Sequence, residues 1–81
     1  MNGIDVGGIM DNEERAKLRT LLNYWIKHNR EHSQEFEEWA VKLKAFGEPE
    51  AGGELLLAAQ EMEKASQNLS QALRRLEKKE R

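Results

Sequence analysis

The chain has no cysteine. Disulfides and thiolate metal sites are therefore excluded, and the absence fits a reducing compartment. Proline occurs once, at Pro49, and neither sign of charge dominates, with 13 Lys and Arg against 15 Asp and Glu. A net charge of −2 offers no basic face of the kind that nucleic acid or an anionic membrane surface requires. No stretch approaches the ~20 apolar residues of a membrane span. Residues 1–10 show neither the positive start nor the apolar run of a signal peptide. A cytoplasmic protein is expected.

What remains is a chain of 81 residues, one small domain at most. A domain of this size has little interior and usually needs help from disulfides, a metal or association. With cysteine absent, association is the most accessible of the three. Charged residues make up 35% of the chain, and Ala, Glu, Lys, Leu and Arg dominate its second half, as in long helices and coiled coils.

Gly3, Gly7 and Gly8 mark residues 1–10 as a flexible tail. A first helix is expected over about 11–46. Asp11 suits its N-cap, Glu14 stands three residues later, and no Pro or Gly intervenes before Gly47, a natural C′ residue. Ser33 offers an alternative start for a new helix. However, the apolar stripe keeps one phase on both sides of it, which favours a single helix of ~50 Å. A second helix is expected over about 49–79, with Pro49 at its first position.

Both segments repeat apolar residues in alternating steps of four and three, the pattern of a heptad seam. In the first helix the stripe reads Leu18, Leu22, Trp25, Asn29, His32, Phe36, Trp39, Leu43 and Phe46. In the second it reads Leu55, Ala59, Met62, Ser66, Leu69, Leu73 and Leu76, with Ala58, Ala65 and Ala72 at its edge. A short connection makes the two helices antiparallel. A turn spread over 47–53 sets Phe36 against Met62, Trp39 over Ala58 and Ala59, and Trp25 over Ala72 and Leu73. The fold class is all-α, an antiparallel two-helix hairpin. Leu56, Leu57, Ile26 and Val41 lie off the seams, so a second surface is expected. Two hairpins joined as a four-helix-bundle homodimer would supply it, and a larger protein partner is the alternative.

The stripe of the first helix is interrupted by His28, Asn29 and His32. Both histidines of the chain are here, one helical turn apart. One reading is a buried polar layer of His28, Asn29, His32 and Ser66 that fixes register. Another is a divalent metal site (Zn, Ni or Co) using His28 and His32, with Glu35 as an oxygen ligand. His28-Asn29-Arg30-Glu31-His32 also matches the H-x-x-E-H spacing of some zinc proteases. A protease further needs a third ligand, a cleft and an oxyanion stabiliser, and none is apparent here. No catalytic residue is assigned, and no enzyme is expected. A nucleic-acid-binding hairpin is a further alternative, weakened because the aromatics lie on the seam rather than on a stacking platform.

The segment Trp25-Ile26-Lys27-His28-Asn29-Arg30-Glu31-His32, followed by Phe36-Glu37-Glu38-Trp39-Ala40, resembles a small uncharacterised prokaryotic helical domain. That domain carries a W-I-x-H-N-x-x-H…F-x-x-W-A pattern. The likeness extends over most of 15–76 and implies a helical hairpin without implying an activity. Tyr24 departs from the pattern, which often has a further histidine at that position.

Overall fold

The computed structural model describes residues 11–79. The expected tail over 1–10 lies outside them. Two helices fill the described chain: α1, Asn12–Ala45, and α2, Pro49–Lys79. α1 is continuous through Ser33.

The ends of α1 are held by its own sequence. The Asp11 carboxylate accepts the Glu14 backbone N–H at 2.7 Å, satisfying one of the otherwise unpaired donors of the first turn. Glu13 and Glu14 sit at the positive end of the helix dipole, and Lys42 and Lys44 at the negative end. The helix stops at Gly47, whose φ of 85° lies in the left-handed region that glycine adopts without steric cost. The Glu48 N–H then reaches back to the Leu43 carbonyl at 2.8 Å, and the Gly47 N–H to the Lys44 carbonyl at 3.1 Å. This is a Schellman closure. Pro49 opens α2 directly, where its missing N–H leaves no intrahelical bond unmade.

The reversal thus occupies only 46–48, shorter than a turn spread over 47–53, and α2 begins at Pro49 as expected, with Gly52 and Gly53 inside its first turns. The helices lie antiparallel. Ser33 Oγ donates to the Ala59 carbonyl at 3.2 Å, and Ala40 lies against Gly52. The molecule measures 54 × 26 × 15 Å. Its thinnest dimension is little more than the ~10–12 Å of one helix with side chains. The hairpin is a single layer.

The seam departs from the sequence reading in one systematic way. The residues of α1 buried against α2 are Leu22, Ile26, Ser33 and Ala40, with Asn29, Phe36 and Leu43 half-buried. Leu22, Asn29, Phe36 and Leu43 belong to the expected stripe. Ile26, Ser33 and Ala40 take the places assigned to Trp25, His32 and Trp39, one residue further along. On α2, the buried positions are Gly52, Ala59 and Ser66, seven residues apart, with Leu55, Met62, Leu69, Leu73 and Leu76 half-buried beside them. Small side chains line the contact because they let the two backbones approach. A Cβ built on Gly52 would stand 2.9 Å from the Ala40 carbonyl oxygen, closer than such atoms pack. Indoles have no room there. The expected pairings of Phe36 with Met62, Trp39 with Ala58 and Ala59, and Trp25 with Ala72 and Leu73 are replaced by this closer register.

Candidate interaction face and histidine pair

Rotating the seam by one residue turns a whole column of α1 outward. Leu18, Trp25, His32, Trp39 and Phe46 follow one another every seven residues along one flank. Trp25 is 39% exposed, Trp39 54% and Phe46 72%. These three were expected in the core and lie at its edge or beyond it. The Lys42 ammonium sits 4.4 Å from the Trp39 ring centroid, the contact that a cation makes with an indole face.

A second column runs parallel to the first on α2. Ala51, Ala58, Ala65 and Ala72 are also spaced by seven. In an antiparallel pair the matching flanks of the two helices share one broad face, and the structure shows that here. Leu18 and Ala72 line one shallow apolar depression with Leu22, Leu76 and Arg75 at the open end of the hairpin. One face therefore carries a ridge of large rings beside a trough of methyl groups. The sequence reading identified the alanine column as an edge but missed the face, because it counted the aromatics as core.

The same correction moves the histidines. His28 is exposed and His32 half-buried at the edge of the seam, so the two do not form a buried layer. The polar residues of the interior are Ser33 and Ser66, both nearly fully buried, with Asn29 half-buried. Ser33 was read only as a possible helix start. The signal that would have placed it inside is its spacing of seven from Ile26 and from Ala40. Ser66 was placed opposite His32. The register fixed by Ser33 with Ala59 puts Ser66 across from Ile26, where its hydroxyl is buried without a hydrogen-bond partner.

On the surface the histidines form an ordered group. Tyr24, His28, His32 and Phe36 follow at intervals of four, so their rings ascend one strip of helix. Tyr24 stacks on His28 at 5.4 Å and 13°, and His32 on Phe36 at 6.0 Å and 24°. His28 and His32 meet edge to face at 4.3 Å between ring centroids, with their Nε2 atoms 3.0 Å apart. The Nδ1 of His32 lies 3.2 Å from Glu35 Oε1. Glu35, expected as a metal ligand, is thus placed behind the ring. Among the described residues, no three His, Asp, Glu or Cys side chains are grouped so as to hold a metal ion. Nor is any helix long and apolar enough to cross a membrane.

Fold and surface together define a single-layer helical hairpin with one open aromatic face. The chain belongs to the family described as Domain of unknown function (DUF8180), whose model matches residues 18–76. It is also similar to an "Uncharacterized protein" of Archaeoglobus fulgidus, 35% identical over 57 residues that cover 70% of this chain and 90% of that protein. No solved structure matches the chain.

Proposed function

We propose that the chain is a protein-interaction module that self-associates, two hairpins laying their aromatic faces together as a four-helix-bundle homodimer. The observation that carries this reading is the exposure of Trp25, Trp39 and Phe46 on a molecule only 15 Å thick. A helix stripe is buried against a second layer in stable domains, and one hairpin has no second layer to give. The face is also complementary to itself. A two-fold axis lying in the plane between the two faces, parallel to the helices, sets the ring column of each copy over the alanine column of the other, so that large side chains meet small ones. Polar residues such as Arg30 and Glu37 occupy the opposite flank of α1, which makes that side the solvent face. In this reading the chain works by holding a partner and is not an enzyme.

Sedimentation velocity at micromolar concentration tests the proposal, with a dimer as the expected species. Trp39 is the more exposed of the two indoles on the face and enters a two-fold interface twice. An indole covered by a partner contributes about 2 kcal/mol per copy, so Trp39→Ser should weaken the dimer by about 4 kcal/mol, roughly a thousandfold. Ala65→Arg should block the trough to the same practical effect. Both positions are exposed in the hairpin, so helicity should survive in each variant. A wild-type chain that sediments as a monomer at these concentrations, or dimers indifferent to both substitutions, would overturn the reading.

A further inference from the structure

We infer that His28 and His32 form a two-nitrogen site for a divalent cation of the nickel, cobalt, copper and zinc class, with Glu35 as the residue that orients it. The argument begins with distance. Two imidazole nitrogens bound to one ion at ~2.0–2.1 Å each must stand about 2.9–3.4 Å apart, whether the angle between them is square or tetrahedral. The Nε2 atoms of His28 and His32 stand 3.0 Å apart. The two donors thus already stand at the separation a chelate requires, on a helix that is continuous through both residues.

The second step concerns the proton. The Nδ1 of His32 lies 3.2 Å from Glu35 Oε1, so the ring donates its Nδ1–H to the carboxylate and keeps the Nε2 lone pair for an electrophile. A carboxylate behind a ligating imidazole is the arrangement that fixes the tautomer and makes the ring more basic at metal sites. Without an ion, His28 donates its Nε2–H to His32. On binding, His28 carries its proton on Nδ1 instead, and no net proton leaves the pair. The stacking of Tyr24 on His28 and of Phe36 on His32 braces the two rings from either side.

The chemistry of the donors sets the class of ion. Neutral imidazole suits the later first-row divalent metals, whereas magnesium and calcium require oxygen. Two protein nitrogens leave coordination positions open towards solvent. Water fills these in a single hairpin, and a second histidine pair would fill them where two copies meet. The site does not depend on association, because both ligands come from one turn of one chain.

Calorimetric titration of untagged protein with nickel(II) tests the inference, together with nuclear magnetic resonance of the imidazole rings under cobalt(II). Saturable binding at one ion per chain, or at one per two chains, is expected, with both rings broadened by cobalt and no response to magnesium. His28→Gln and His32→Gln should each lower the affinity at least tenfold. Glu35→Gln should lower it about tenfold through the lost orientation alone. Affinity should fall as the pH is lowered, because protons compete for the ring nitrogens. These side chains stand outside the seam, so far-ultraviolet circular dichroism should show the variants folded. Equal nickel affinity in the wild type and the doubly substituted chain, or rings that cobalt leaves unbroadened, would overturn the assignment. A Glu35→Gln affinity equal to wild type would overturn the orienting role.

Discussion

At the scale of single residues, the hairpin is decided by how closely two backbones can approach. Gly52 and Gly53 are neighbours with opposite roles. A methyl group on Gly52 would press on the Ala40 carbonyl at 2.9 Å and on Lys44 Cγ at 3.2 Å, while one on Gly53 would meet nothing within 4 Å. Alanine improves helix propensity at either position by about 0.5–1 kcal/mol, but overpacking against a backbone atom costs ~1–3 kcal/mol. Gly53→Ala should therefore raise stability by roughly 0.5–1 kcal/mol. Gly52→Ala should lower it by about 1 kcal/mol net. Chemical denaturation of the two variants side by side measures the contrast, and equal gains at both sites would show that the helices do not approach as described. The Ser33 hydroxyl belongs to the same close contact. It satisfies itself on a carbonyl of the other helix, which only a short side chain can do where backbones nearly touch.

At the scale of the element, nearly all of the helix boundaries could be read from the chain, because the signals that set them are local. Asp11 caps through its own side chain, Gly47 alone can take the positive φ of the reversal, and Pro49 needs no donor at the start of α2. Replacing Gly47 by Ala should cost about 1 kcal/mol, the steric cost of a Cβ in left-handed backbone. Asn should cost less, since it visits that region more readily. Thermal melts would show the order Gly, Asn, Ala, and an alanine variant as stable as the parent would mean that the Schellman closure is not what ends α1. The seam was only half legible for a different reason. Leu22, Asn29, Phe36 and Leu43 were placed correctly, whereas Trp25, His32 and Trp39 displaced Ile26, Ser33 and Ala40 in the reading. A hydropathy stripe ranks tryptophan above serine, yet space between helices ranks them the other way. The overlooked cue was steric: Ser33 and Ala40 on one helix, and Gly52, Ala59 and Ser66 on the other, repeat small side chains every seven residues. The histidine pair was legible as a spacing, but the place of Glu35 behind His32 was not, because a side-chain rotamer is not written in sequence.

At the scale of the whole molecule, the question is what makes so thin an object stable. Leu22 and Ile26 are the only large apolar side chains buried among the described residues, and the rest of the buried seam is alanine, glycine and serine. Small side chains bring the helices close but remove little apolar area from water, at ~25 cal/mol per Å². The larger apolar payload, Trp25, Trp39 and Phe46, lies on the open face, where the proposed second copy would cover it. On this account, association adds to the stability of an already folded hairpin, and its Tm depends on its own concentration. A dimer of two ~70-residue hairpins unfolds with an enthalpy near 100 kcal/mol, taking ~0.7 kcal/mol per residue. Its Tm should then rise by about 10 °C for a hundredfold increase in concentration. Trp39→Ser should flatten that slope as well as lower the Tm, whereas Gly52→Ala should lower the Tm and leave the slope in place, because it loosens each hairpin without touching the face between them. Scanning calorimetry or circular dichroism from low to high micromolar concentration distinguishes the two effects. A wild-type Tm that does not move with concentration would mean that the narrow seam of small residues suffices alone, and the aromatic column would then need another kind of partner.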